Sequence, residues 1–269
     1  MTTPTNAVAL ITGASEGIGR ALALELANGE DYPRLIISAR NADRLEQLAG
    51  QMRKLNCEVL CVATDVSDPT QCQHLVQRTI EHFGRLDTLF NNAGATMWAT
   101  FREITDLDVF RKVMDVNYFG ALYCTHAAIE PLIASGGRIV VVASVAGLTG
   151  VPTRSGYAAS KHAVIGLFES LRIELADTGV SVTIVAPDFV VSSIHRRALT
   201  ADGTPLGTTP MKESRIMSAE RCAALIAAAT KKRQRILITS WRGRAGRLLR
   251  LVAPKLIDSI AARAIEKGQ

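Results

Sequence analysis

Short apolar runs alternate along the chain with longer stretches whose apolar residues recur at helical spacing. The runs are residues 8–12, 34–38, 58–62, 88–90, 137–143, 181–186 and 235–239. Several are rich in Val and Ile and apolar throughout, the pattern of strands covered on both faces. Helical patterns occupy 17–29, 42–55, 69–83, 106–135, 156–177 and 219–230. Asp68 and Ser218 stand at the starts of two of them as N-caps. Strands and helices in alternation, joined by right-handed crossovers, predict an α/β fold with a doubly wound parallel sheet. Ligands of such sheets bind outside the carboxyl ends of the strands. The alternation breaks over 195–218, which is polar and rich in Thr, Gly and Pro. That stretch reads as a lid over a substrate site or as a mobile surface loop with no role.

At 269 residues the chain can bury a core that needs neither metal nor disulfide. Cys57, Cys61, Cys72, Cys124 and Cys222 are scattered, with no C-x-x-C, and read as thiols of a reducing compartment. Cys57 and Cys61 alone do not make a zinc site. The start, Met1 to Asn6, lacks the basic end and apolar centre of a signal peptide, so a cytoplasmic protein is expected. Charge is unevenly placed: residues 231–269 carry eleven Lys or Arg against two acids, the other residues 20 against 23.

Two motifs carry chemistry. Gly13-x-x-x-Gly17-x-Gly19 follows the first strand and opens a helix, where glycines allow a tight turn and helix amides favour a pyrophosphate. The second strand ends Ile37-Ser38-Ala39-Arg40-Asn41. The acid that holds the ribose of NAD is missing, and Arg40 stands where a 2′-phosphate would lie, which favours NADP(H) over NAD. A solvated arginine at a helix start is the alternative. Asp65 reads either as an acceptor for an adenine amino group or as a turn cap. Tyr157 and Lys161 sit one helical turn apart and face the same side. A free tyrosine titrates at about 10; a neighbouring lysine charge, with that of an oxidised nicotinamide, is expected to lower that value and make Tyr157 a working acid–base group. His162 points elsewhere and reads as structural; His195 stays open.

With Thr12-Gly13-Ala14-Ser15-Glu16-Gly17-Ile18-Gly19, Asn91-Asn92-Ala93-Gly94, Asn117, Ser144 and Tyr157-x-x-x-Lys161 in this order, residues 6–240 resemble the short-chain dehydrogenase/reductase family. The resemblance implies a Rossmann-type sheet, a nicotinamide cofactor and a catalytic set of Asn117, Ser144, Tyr157 and Lys161. Ser144 would steady charge on the substrate oxygen and Asn117 would hold a water in a proton relay. The implied cofactor shell is Gly13, Ser15, Glu16, Gly17, Ile18 and Gly19 from the turn; Arg40, Asp65 and Val66 beside the adenosine; Asn92, Ala93 and Gly94 with Asn91 as a neighbour; and Tyr157, Lys161, Pro187, Val190 and Ser192. The family's Pro-Gly turn is here Pro187-Asp188, which puts that loop's conformation in question.

A single domain, 1–240, is expected to carry the lid at 195–218 and an extension at 241–269. The extension is basic, with Leu248, Leu249, Val252, Leu256, Ile260 and Ala264 at helical spacing and a break at Pro254. Three readings of it stand: packing on its own body or on a sister subunit of a homodimer or homotetramer, contact with an anionic membrane surface, or steering of an acidic substrate. Scarce aromatics and the lack of a DNA-reading motif argue against nucleic acid. The expected activity is NADP(H)-dependent reduction of a carbonyl to a secondary alcohol, or the reverse, on an apolar substrate. Apolarity is read from the extension and from Met211, Ile216 and Met217; reduction of lipid-type ketones, 3-ketoacyl or sphingoid, is the alternative reading. A non-catalytic NADP-binding sensor or scaffold is the alternative of another class.

Overall fold

A computed structural model describes residues 6–29, 31–211, 214 and 216–266. The predictions that rest on Met1–Thr5 and on lid residues 212, 213 and 215 lie outside it, as do the side chains of Ile260 and Ala264.

Seven parallel strands form one sheet in the order β3-β2-β1-β4-β5-β6-β7. They are β1 (Val8–Thr12), β2 (Arg34–Ala39), β3 (Glu58–Ala63), β4 (Thr88–Asn91), β5 (Arg138–Val142), β6 (Ser181–Ala186) and β7 (Ile236–Ile238). Every predicted strand forms, because β1, β4 and β5 are buried along their whole length. The order reverses between β1 and β4, which opens a crevice at their carboxyl ends. One face is covered by α1 (Gly17–Asn28), α2 (Ala42–Arg53) and α7 (Ala219–Lys231), which share a core with Leu22, Leu45 and Ile226. The other is covered by α3 (Pro69–Phe83), α5 (Gly120–Ser135) and α6 (Ser155–Glu174), around Leu75, Leu132 and Phe168. Asp68 caps α3 by accepting from the Thr70 and Gln71 amides, and Ser218 caps α7 by accepting from Arg221.

The pattern over 106–135 predicts one helix, and the structure divides it. α4 (Asp108–Met114) gives way to a π-helical turn, Asp115–Phe119, before α5. Gly120 explains the close fit there: a Cβ would lie 2.7 Å from the Val66 side chain.

The described residues of 195–218 are tied down by hydrogen bonds. Leu199 exchanges backbone bonds with Thr96 and Trp98, and Asp202 accepts from the hydroxyls of Thr200 and Thr204. Met217 bridges to the 189–191 loop through its backbone and packs its side chain against the core beside α1 and α7.

The extension forms α8 (Trp241–Val252) and α9 (Pro254–Glu266), divided at Pro254 as expected. Packing of α8 against its own body is slight: it buries no residue fully, and its close approach is at Gly243, where a Cβ would lie 2.8 Å from the Val145 and Ile238 side chains. Trp241, Leu248, Leu251 and Val252 are all more than two-thirds exposed, at 77, 68, 79 and 81 %. What holds α8 is polar: Ser240 caps it, and Arg250 donates to Leu148 O and meets His162 Nε2. Among the described residues no helix is long and apolar enough to cross a membrane.

Candidate active site

A cleft of about 890 Å³ opens where the sheet order reverses. Its floor is the glycine turn. Gly13 (φ 66°) and Gly17 (φ 55°) adopt left-handed backbone that side chains rarely take. A Cβ at Gly13 would lie 2.7 Å from Ala93 Cα, so the turn and the Asn92–Gly94 edge touch backbone to backbone. Thr12 locks them together: its Oγ1 accepts from the Asn92 and Ala93 amides and donates to Phe90 O. No side chain caps α1, which leaves its first-turn amides for an anion. Ser15, Glu16, Gly17 and Ile18 line the cleft with Gly13.

Two members of the expected cofactor edge do not reach the cleft. Gly19 is buried, and a Cβ there would meet Gly13 O at 2.3 Å and Asn92 Nδ2 at 2.4 Å; it is needed for helix-to-strand packing. Asn91 donates to Thr125 Oγ1 and anchors β4 to α5.

Arg40 follows β2, is exposed, lines the cleft, and has no ion-pair partner among the described residues. Arg44 and Arg197 stand nearby, both paired with Glu16. Three guanidinium groups against the carboxylates of Glu16 and Asp65 leave this end of the cleft cationic. Asp65, which also lines it, closes a turn by accepting from the Ser67 amide and hydroxyl, so the capping reading is realised. Thr64 and Val66 complete the wall.

At the other end lie Ser144, Tyr157 and Lys161. Ser144 ends the segment after β5, where its Oγ accepts from the Ala146 amide. Tyr157 and Lys161 share one side of α6, with the Lys161 Nζ 5.8 Å from the Tyr157 ring centroid. Burial raises the Tyr157 pKa above its ordinary value; hydrogen bonding to Ser144 and the charge of Arg154 oppose this without cancelling it. The expected lowering by Lys161 is therefore not found in the protein alone. The physical reason is that Lys161 is itself desolvated, its pKa pulled down to about 8, and donates to Val142 O at 2.8 Å. The Asn117 side chain is fully engaged as a donor. Its Nδ2 donates to Ala95 O (2.9 Å) and Ser160 Oγ (2.8 Å), its Oδ1 accepts from the Ala95 amide, and it does not line the cleft. Its side chain clamps the π-helical turn to the Gly94–Ala95 edge and to α6, so a relay water would be held by a carbonyl oxygen of this residue.

Pro187, Val190 and Ser192 line the cleft beyond β6. Asp188 sits there without left-handed backbone, so the Pro-Asp turn needs no glycine. Its carboxylate turns to the extension, accepting from Ser240 Oγ (2.7 Å) and Arg242 Nη2 (3.4 Å). Met211, Ile216 and Met217, expected to offer the substrate an apolar cover, do not line the cleft.

A residue the pattern does not single out dominates this end. Arg154, three residues before Tyr157, is 6 % exposed. Its guanidinium carbon lies 4.4, 5.3 and 5.7 Å from the ring centroids of Trp98, Phe189 and Tyr157. Arg154 Nη2 lies 3.2 Å from Nδ1 of His195, also 6 % exposed. Burial and the Arg154 charge push the His195 pKa down to about 4.

Comparison with known proteins decides the family. Residues 7–202 match the family model of the short chain dehydrogenases. The chain belongs to that family. A relative, 11-beta-hydroxysteroid dehydrogenase 1A of Arabidopsis thaliana, is 37% identical over 258 residues, covering 93% of this chain and 73% of its own. The mouse (Mus musculus) dehydrogenase/reductase SDR family member 7B is 33% identical over 269 residues, covering 97% and 82%. Among solved structures, a short chain dehydrogenase/reductase from Burkholderia phymatum in complex with NAD superposes with TM-score 0.83 at 28% identity over 95% of this chain and 96% of that one. An alcohol dehydrogenase from Thermococcus sibiricus complexed with 5-hydroxy-NADP gives TM-score 0.73 at 27% identity, over 86% and 94%. The protein is thus a short-chain dehydrogenase/reductase, an oxidoreductase of hydroxyl and carbonyl groups that uses a nicotinamide dinucleotide.

In this family member the sequence signal for Arg154 was its position: three residues before Tyr157, it falls on the same side of one helical turn. His195 carried no such signal, because only the path of the lid brings it to Arg154. Arg44 likewise reaches Glu16 only across the α1–α2 gap.

Proposed function

We propose that this enzyme is an NADP(H)-dependent carbonyl reductase in which Tyr157 is the proton donor. The observation that carries the reading is one cleft with Arg40, unpaired among the described residues, at one end and the half-buried Ser144 and Tyr157 with the buried Lys161 at the other. The residues fit the dinucleotide: the Gly13–Gly17 turn has no room for side chains, and the α1 amides are uncapped. The pyrophosphate would rest there, Arg40 would grip the 2′-phosphate, and Lys161 would hold the ribose hydroxyls. When bound, the reduced nicotinamide supplies the hydride.

The chain's own part is proton transfer and charge stabilisation. With its pKa above the ordinary range, Tyr157 keeps its proton at neutral pH, the form that reduction consumes. Ser144 donates to the same substrate oxygen as negative charge gathers on it. Lys161, titrating near 8, returns charge to the site as the tyrosinate forms. Asn117 acts by holding the turn that positions Ala95 and Ser160.

The hydroxysteroid dehydrogenases among the relatives add secondary alcohols on large apolar skeletons to the substrates worth trying, beside the 3-ketoacyl and sphingoid-type ketones. For the extension, the solvent-facing Trp241, Leu248, Leu251 and Val252 with four arginines in α8 favour an anionic lipid surface over burial on its own body; a second copy of the chain is the competing cover.

The test is oxidation of NADPH, with NADH in parallel, across aliphatic, aromatic, steroid and acyl-chain ketones. Turnover with NADPH that Tyr157→Phe abolishes is the expected result. Turnover with NADH alone removes the argument from Arg40. An unchanged Tyr157→Phe variant removes the proton-donor assignment. Tight NADPH binding with no turnover anywhere favours the sensor reading.

A further inference from the structure

Arg154 is a buried cation with no carboxylate partner among the described residues. Burying a charge is costly unless it is paired. Trp98, Phe189 and Tyr157 offset part of that cost by stacking around the guanidinium. The hydrogen-bonding capacity is not met by the rings. Arg154 Nε is buried without a partner, and so is His195 Nε2.

The chemistry of the pair fixes what is missing. Arginine can only donate. The His195 Nδ1 that faces Arg154 Nη2 is therefore the acceptor, and the neutral ring carries its proton on Nε2. Both orphaned atoms are thus donors. Both residues line the cleft beside Tyr157, and the guanidinium carbon is 5.7 Å from the Tyr157 ring centroid. The unpartnered Arg154 Nε–H, with the His195 Nε2–H beside the Val190 backbone, forms a receptor for acceptor oxygens.

We infer that Arg154 and His195 form a carboxylate-binding subsite, so that the preferred substrate is a ketone bearing a carboxylate a few bonds from the reacting carbonyl. This deepens the carbonyl-reductase reading and rests on it. A carboxylate satisfies the guanidinium with parallel hydrogen bonds and gives the His195 Nε2–H an acceptor. The rest of the substrate lies along Val151, Phe189 and Leu199, which also line this end. The subsite selects for a charged head on an apolar body, in place of the wholly apolar substrate that the chain pattern suggests.

The experiment uses the full chain and two matched probe pairs. A straight-chain γ-keto acid is compared with its methyl ester as a substrate. Octanoate is compared with octanamide as a non-reacting ligand, by calorimetry with and without NADPH. Wild-type protein is expected to favour the acid over the ester by about 10- to 100-fold in kcat/KM, the scale of charge-assisted hydrogen bonds in a buried site. Octanoate should bind and octanamide should not. Arg154→Gln should remove most of both preferences, chiefly through KM, and Arg154→Lys should keep part of them. The wild-type comparisons need no variant, so a folding defect in Arg154→Gln does not shield the inference.

Ester turned over as well as the acid, with octanoate and octanamide binding alike, would overturn the subsite and leave the reductase reading standing. So would Arg154→Gln weakening charged and neutral probes equally. No turnover of these ketones or of the wider ketone panel with either cofactor would sink the reductase reading, and the octanoate comparison would then decide the subsite alone.

Discussion

Lys161 holds its position at a cost that pH can reveal. It is 4 % exposed, faces no carboxylate among the described residues, and titrates near 8 where a free lysine titrates at 10.5. Its folded pKa lies below its unfolded pKa. Between those values the unfolded chain binds the extra proton, so the stability of the native state rises with pH through that window. The full penalty at neutral pH is about 3 kcal/mol. Lys161→Met removes the charge while keeping the volume, and also removes the bond to Val142 O, worth about 1–3 kcal/mol if that carbonyl is left unpaired. At pH 7 the two effects nearly offset each other. Their pH dependence does not: the lost hydrogen bond is constant, whereas the charge penalty fades by about 2 kcal/mol between pH 7 and pH 9.5. The wild type should therefore gain on the variant by about 2 kcal/mol over that range. In a chain of this size that moves the gap in Tm by about 4 °C. Thermal denaturation of both proteins, cofactor-free, in matched buffers at half-unit intervals measures it. A gap flat to within about 0.5 kcal/mol would refute the claim that Lys161 is buried as a strained cation. The variant should have lost turnover at every pH.

Three further outcomes follow. Arg40→Ala should weaken NADPH binding about tenfold or more and leave NADH binding nearly unchanged, as read by fluorescence titration, since a paired phosphate contact is worth about 1.5–3 kcal/mol. Gly19→Ala forces a methyl against Gly13 O and Asn92 Nδ2 and should destabilise the fold by about 1–3 kcal/mol in urea; an unchanged midpoint would show that α1 can shift away. Removing residues 241–269 should abolish flotation with anionic vesicles and spare turnover; loss of folding instead would mean that the Asp188 contacts to Ser240 and Arg242 hold the loop after β6.

Much of the fold was legible because strands buried on both faces must be largely apolar, as 8–11 and 139–143 are. The cofactor shell was legible wherever backbone approach demands glycine, at Gly13 and Gly17. Gly19 and Asn117 show the limit: the same residue types serve packing and clamping, and spacing does not distinguish those roles from contact with a ligand. The π-helical turn at Asp115–Phe119 arises from contacts to Val66, Ala95 and Ser160, none of which is local. The Tyr157 shift in the protein alone was not legible, because spacing shows that a lysine is near but not that it is desolvated. Arg154 and His195 meet across 41 positions through a stretch with no periodicity at all.

The first strand made is an interior one. β1 pairs with β2 on one side and with β4, about 80 residues later, on the other. Until β4 arrives, Thr12 has no Asn92 or Ala93 amide to accept from, and the floor beneath Gly13 does not exist. The glycine turn is therefore not a portable module. A fragment ending at β3 keeps the whole glycine signature and lacks the surface that gives it shape. The ability to hold a dinucleotide emerges only when β4 and the Asn92–Gly94 edge close on β1.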